Sequence, residues 1–155
     1  FQQAKWRPRI ALSANVASGD RDPSDKHIGT FNALFPRGNY FSEAAVLGPR
    51  NFYNLHPKLE LRPGKAWSIT ADVDWFWRHE TRDAVYTPSG QILRMPDGSR
   101  KRDVGTSFSL SSTYEIGPNM TLTGIYSRFQ PGPFIRETGP SSDIEYYELT
   151  LDFKF

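Results

Sequence analysis

The sequence contains no cysteine among its 155 residues. This absence excludes disulfide bonds, thiolate zinc sites and cysteine nucleophiles. No apolar run approaches the roughly 18 to 20 residues that a transmembrane helix needs, which excludes a helical membrane protein. The net charge is only +2, so the composition gives no reason to expect a nucleic-acid partner.

Aromatic residues and turn formers are abundant instead. The chain has 11 Phe, 7 Tyr and 4 Trp, together with 12 Gly and 12 Pro. This combination favours strands over helices. The mean hydropathy of -0.58 is by itself typical of a soluble domain. The charge is unevenly distributed, because residues 1–102 carry 16 basic and 10 acidic side chains, whereas residues 103–155 carry 3 and 7.

Six segments alternate between apolar and polar residues with a period of two, which indicates β-strands. In the clearest of them every odd position from Trp67 to Trp77 is apolar, while Asp72 and Asp74 are among the even positions. Helical periodicity is absent, except that 41–47 could form a turn or two of helix within a loop. The predicted strands are 9–17, 52–62, 67–80, 104–116, 120–129 and 146–155.

The connections between these segments alternate in length. Tight turns are predicted at 62–65 and 117–119, and long polar loops at 19–50, 81–103 and 130–142. Transmembrane β-barrels have short periplasmic turns and long extracellular loops, with strands that face lipid on one side and water on the other. The sequence therefore predicts an all-β fold, an antiparallel transmembrane β-barrel. Aromatic residues at strand ends match its interfacial girdles: Trp67, Trp75, Trp77, Tyr114 and Phe155.

The number of strands is the second structural expectation. A soluble β-sandwich also has alternating strands, but these segments exceed the usual length of about 5 or 6 residues. Single-chain bacterial barrels begin at about eight strands, so six cannot close one. We therefore expect residues 1–155 to be the C-terminal part of one larger barrel domain. A last strand that ends on Phe155 is typical of outer-membrane barrels.

A series of short motifs extends along residues 10–155 in a fixed order. Together they resemble the C-terminal region of the alginate export family of outer-membrane porins. The resemblance implies a wide barrel of about 18 strands, of which this chain would hold the final third. It also implies passage of an anionic polysaccharide across the outer membrane. The motifs are at 17–20, 29–36, 47–51, 55–57, 74–78, 132–134 and 137–140.

A path for a polyuronate needs cations on the polar side of the barrel wall, and guanidinium groups pair well with carboxylates. The alternation places His56, Lys58 and Arg62 on that side of one strand and Arg78 on the next. Arg94 lies in the long loop 81–103, which could fold into the pore or stay at its mouth. These five residues are the predicted substrate path. The competing interpretation for each is a solvated charge or an ion pair, such as Arg78 with Glu80.

No catalytic group, metal site or cofactor is predicted. The acidic segment 20–25 lacks the glycine and terminal glutamate of an EF-hand, and no nucleophile is placed beside a base. The expected partners are the lipid bilayer of the outer membrane, an anionic polysaccharide and a periplasmic secretion component, without nucleic acid. The expected function is facilitated diffusion. The alternatives are an outer-membrane barrel enzyme or adhesin that acts through its long loops, and a soluble β-sandwich binding module.

Overall fold

The computed structural model describes residues 5–36, 38 and 40–155. Residues 1–4, and residues 37 and 39 of the predicted loop 19–50, lie outside this part. The described chain forms strands and one short helix, in the order β1 (Arg9–Ala17), β2 (Phe52–Leu61), β3 (Trp67–Trp77), β4 (Val85–Tyr86), β5 (Ile92–Arg94), β6 (Asp103–Gly117), β7 (Met120–Pro131), α1 (Pro133–Glu137) and β8 (Ile144–Phe153).

Six of these strands form one antiparallel sheet, in the order β1-β2-β3-β6-β7-β8. Strands β4 and β5 form a separate hairpin within the connection between β3 and β6. The predicted antiparallel all-β fold is confirmed, and each predicted strand overlaps an observed one. Strand β3 ends at Trp77, although the prediction extended to residue 80. The sheet is open, with β1 and β8 at its edges, and the described residues form no second large sheet packed against it, as a sandwich would require.

The pairing register gives this sheet two different faces. Asp72 pairs with Lys58 on one side and Ser109 on the other, whereas Leu110 pairs with Ala71 and Tyr126. Paired residues point to the same face of a sheet, so polar and apolar side chains are sorted consistently across all six strands. We call the first the polar face; it includes Asn15, Asn54, His56, Lys58, Glu60, Asp72, Asp74, Ser107, Ser109, Thr123, Ser127 and Glu148. The opposite, apolar face includes Ile10, Leu12, Leu55, Leu59, Val73, Phe108, Leu110, Leu149 and Leu151.

The apolar face is exposed. Leu12 is 67% exposed and Leu149 is 76% exposed, and neither has a covering layer. Exposed apolar surfaces of this extent mark contact with a membrane or another apolar surface. None of the helices in the described part of the chain is long and apolar enough to span a membrane.

Aromatic side chains lie at both ends of the apolar face. Trp67 pairs with Tyr114 at the end of the sheet with the tight turns. At the other end Tyr53 stacks on Trp77, with ring centroids 5.3 Å apart, and Trp75 lies nearby. Trp67 and Trp75 are eight positions apart on β3, which corresponds to about 26 Å along a strand. This spacing is comparable to the apolar band of an outer-membrane barrel, about 25 Å tall.

The buried apolar core lies at the loop end of the sheet, where the β1–β2 connection covers the polar face. Phe41 of this connection packs edge-on against Phe52 and Phe76, with centroids 5.1 and 5.0 Å away. The helical turn predicted at 41–47 is wrong, because Ala45 has a φ of 49° and the segment packs as irregular chain. The helix that does form is α1, which begins at a proline and buries Phe134.

Candidate functional site

A histidine between two carboxylates occupies the middle of the polar face. His56 of β2 lies opposite β3, with its Nδ1 3.2 Å from Oδ2 of Asp74 and its Nε2 3.5 Å from Oδ1 of Asp72. Asp74 is fully buried, and its Oδ1 accepts a hydrogen bond of 2.6 Å from the side-chain amide of Asn54. Residues predicted to share one face of neighbouring strands therefore meet directly.

This network continues into β1. The backbone N–H and the side-chain amide of Asn15 both donate to Oδ1 of Asn54, each at 3.0 Å. Side chains from three strands are thus fixed in one hydrogen-bonded chain, which favours a rigid wall over a mobile one. Within the described residues no group of three His, Asp or Glu side chains could hold a metal ion.

The two cations of the polar face share one carboxylate. Lys58 Nζ lies 3.2 Å from Oε1 of Glu60, and Arg9 Nη1 lies 3.3 Å from Oε2 of the same residue. All three side chains are partly or largely accessible to solvent. Pairs of this kind add little stability, but they reduce the positive charge that Lys58 presents.

Arg78 does not lie on the solvent-accessible part of the polar face, where the alternation predicts it. Its side chain is fully buried, and its guanidinium donates to the carbonyl oxygens of Thr81, Ser99 and Lys101 among others. The same group stacks on the ring of Phe134 at 3.8 Å. Burial lowers the pKa of Arg78 to about 10. The physical reason is that β3 ends one residue earlier, so the period of two no longer sets the direction of this side chain.

The alternative ion pair between Arg78 and Glu80 is not present in the described structure. Glu80 lies near Arg21 instead, with Oε1 3.8 Å from Nε. Arg94 of β5 also hydrogen-bonds to backbone groups. Its guanidinium donates to the carbonyl oxygens of Thr138 and Pro140 at 3.2 and 2.8 Å.

Arg62 lies at the opposite end of the sheet. It follows β2 directly, is exposed in the tight turn, and donates its backbone N–H to the carbonyl of Trp6. Of the five residues predicted to line the path, only His56 and Lys58 are on the polar face of the sheet itself. Their role in transport stays a prediction.

Asp83 connects the long loops, although no local sequence pattern marks it as a residue that does so. It is buried and accepts hydrogen bonds from the backbone of Asp20 at 2.8 Å, from Thr30 Oγ1 at 2.6 Å and from the hydroxyl of Tyr86 at 2.7 Å. Burial and this bond to Asp83 raise the pKa of Tyr86 to about 12.

Asn51 makes a second connection between the same loops. Its side-chain amide donates to the carbonyls of Glu80 and Ala84 at 3.0 and 2.9 Å. The two loops also approach closely at Gly48, where an added Cβ would lie 2.1 Å from the carbonyl oxygen of Thr87. A side chain at this position would force the two backbones apart. Arg94 also binds the β7–β8 connection at Thr138 and Pro140, so the β1–β2, β3–β6 and β7–β8 connections form one interlocked unit, which we call the loop cap.

The comparison with known families gives the identity of this two-faced sheet. The sequence profile of the family described as alginate export matches residues 1–146. The chain belongs to the alginate export family. This is a family of transporters and porins rather than enzymes, and membership implies an outer-membrane location. The resemblance seen in the sequence is confirmed. A search of curated proteins found no match.

Proposed function

We propose that this chain forms part of the wall of an outer-membrane β-barrel channel, through which a polysaccharide diffuses without chemical change. The observation that carries this proposal is the two-faced sheet, with an exposed apolar face between two sets of aromatic side chains and a polar face on the other side. A barrel strand needs this division, because one side meets lipid and the other meets water. In this proposal residues 1–155 belong to one barrel domain of about 18 strands.

The two ends of the sheet support an orientation. The tight turns after β2 and β6 lie at one end, and the three long connections that contain Asn51, Asp83 and Phe134 lie at the other. Barrels of this class have short turns on the periplasmic side and long loops outside the cell. The loop cap therefore surrounds the extracellular mouth, and the turn that contains Arg62 faces the periplasm and any secretion component there.

The proposed path follows the polar face past His56 and Lys58. Arg78 and Arg94 act indirectly, because their guanidinium groups hold the loop cap together through backbone carbonyls. That the passing polymer is anionic and resembles alginate stays a prediction from the family.

Conductance of the full-length protein tests this proposal. Purified protein reconstituted into a planar bilayer should give discrete ion currents, and oligosaccharides added to one side should reduce them. Heat-denatured protein in the same detergent is the control. A bilayer that stays silent while the folded protein is shown to be inserted would contradict the channel, and would favour an adhesin or enzyme that works through its loops.

A further inference from the structure

Three phenylalanines interrupt the polar face at its loop end. Phe76 is the register partner of Asn54, Phe129 is the partner of Ser107, and Phe52 lies two positions before Asn54 on β2. All three therefore face the same way as the polar side chains. Each is at most 7% exposed. A sheet leaves the outward surface of such side chains open, so their burial requires a cover on the polar face.

The cover is formed by residues 41–47 of the β1–β2 connection, which we call the inner strap. Phe41 contacts both Phe52 and Phe76 edge-on, and Leu47 is buried in the same cluster. A cavity of only about 10 Å³ remains between the strap and the strands beneath it, which is room for about one water molecule at most. The strap is thus packed against the polar face as closely as a protein interior.

The inner strap extends across most of the sheet. From its contacts with β2 and β3 it continues to β8, where Glu43 is close enough to Tyr146 for an electrostatic interaction. Tyr146 is the register partner of Ser127 and lies on the polar face. Strands β2, β3, β6, β7 and β8 are neighbours in this order, which corresponds to about 19 Å across the sheet. The strap therefore lies on the side that the proposed function assigns to the path.

Backbone hydrogen bonds hold the connection at both sides of the strap. The carbonyl of Ser18 accepts from the N–H groups of Phe31 and Asn51 at 3.0 and 3.2 Å, which closes the base of the connection. Directly after the strap, the N–H of Gly48 donates to the carbonyl of Tyr86 at 2.9 Å. Mobile lids are drawn from segments with few buried apolar contacts. The inner strap has the opposite character.

We propose that the inner strap is a fixed constriction of the channel, which narrows the path at its extracellular end. The proposal rests on the proposed function, because it needs a path along the polar face. A second layer packed face to face on a sheet takes up about 10 Å. Pore diameter limits both the ionic current and the size of the solute that can pass. The strap would therefore admit an extended polymer beside it and restrict bulkier, branched or coiled ones.

Single-channel conductance of the full-length protein in planar bilayers tests the constriction. Phe41→Ser removes the ring that holds the strap to β2 and β3, so the conductance should rise by about 1.5-fold or more as the path widens. Phe35→Ser is the matched control, because Phe35 belongs to the same connection but is 89% exposed, and its conductance should equal that of the wild type. Equal conductances of the two folded variants would overturn the constriction.

Ion selectivity gives a second test that leaves the buried contacts intact. Glu43 is exposed on the strap, so Glu43→Gln should lower the cation-to-anion permeability ratio by about 1.3-fold or more under a salt gradient. Glu145→Gln is the control, because Glu145 is on β8 in the register of the apolar face. A reversal potential that does not move in Glu43→Gln would place the strap outside the path and overturn the proposal, whether or not Phe41→Ser inserts. In that case a conducting wild type leaves the proposed function standing, whereas a silent wild type contradicts the proposed function itself.

Discussion

Nδ1 of His56 lies 3.2 Å from Oδ2 of Asp74, and the two side chains join β2 to β3 across the polar face. The carboxylate of Asp74 is fully buried and is also bound by Asn54. A buried acid is stable only when it is paired or hydrogen-bonded. These two contacts therefore explain how an acidic residue can occupy the interior of a wall that is covered by the loop cap.

Removing the carboxylate of Asp74 should destabilise the fold. Asp74→Ala leaves the amide of Asn54 without its acceptor and removes the carboxylate that lies beside the ring of His56, which costs about 1–3 kcal/mol. The measurement is the urea midpoint of the full-length protein, followed by the electrophoretic difference between folded and unfolded barrels. Asp72→Ala is the control, because Asp72 is partly exposed and its loss should lower the midpoint less. Equal losses in the two variants would contradict the structural role of Asp74.

Shortening the guanidinium of Arg78 should loosen the loop cap. Arg78→Lys keeps the charge, but an ammonium group cannot span the separate carbonyls that the planar guanidinium reaches. Proteolysis of the 78–102 connection in intact outer membranes should become severalfold faster. Arg100→Lys is the control, since Arg100 is exposed in the same connection. If both variants were cleaved at the wild-type rate, Arg78 would not hold the cap.

The loop cap should also respond to alkaline pH through Tyr86. Its pKa is raised to about 12 from an ordinary value of 10.0, chiefly by burial and then by the hydrogen bond to Asp83. A raised pKa means that the protonated form is favoured in the folded protein, so this stabilisation is complete below pH 10 and is lost as the pH rises through 12. The difference in tyrosinate absorbance between the wild type and Tyr86→Phe should therefore show a transition near pH 12. A transition at pH 10 would mean that Tyr86 is not held by Asp83.

The strands were predictable because their signal is local. Alternation and tight turns depend on neighbours in the chain. For example, the apolar residues at every odd position from Trp67 to Trp77 predict β3. The same alternation also placed His56 and Asp74 on one face. The contact between them needs the register of β2 against β3, which the sequence did not specify.

The predictions that differ from the structure concern residues at which the chain leaves the sheet. Arg78 was assigned by extending the alternation past Trp77, although the register shifts there and the chain turns into the loop cap. The five residues of α1 are too few for helical periodicity to be visible. The sequence does not reveal the roles of Asp83 and Asn51 in linking the loops, because their hydrogen-bond partners are distant in the chain. A single Asp or Asn in a polar loop gives no indication of which distant groups it binds.

Cysteine accessibility shows whether the polar face meets water and the apolar face meets lipid. The chain has no cysteine, and Ser111 and Ser112 are neighbours on opposite faces of β6, with Ser111 paired to Thr70 and Ser112 to Ile69. Single Ser→Cys variants of the full-length protein, in intact outer membranes, should be treated with a membrane-impermeant maleimide. Labelling should be rapid at Ser111→Cys and slow at Ser112→Cys. Labelling of Ser112→Cys at an equal or higher rate would contradict this arrangement of the two faces.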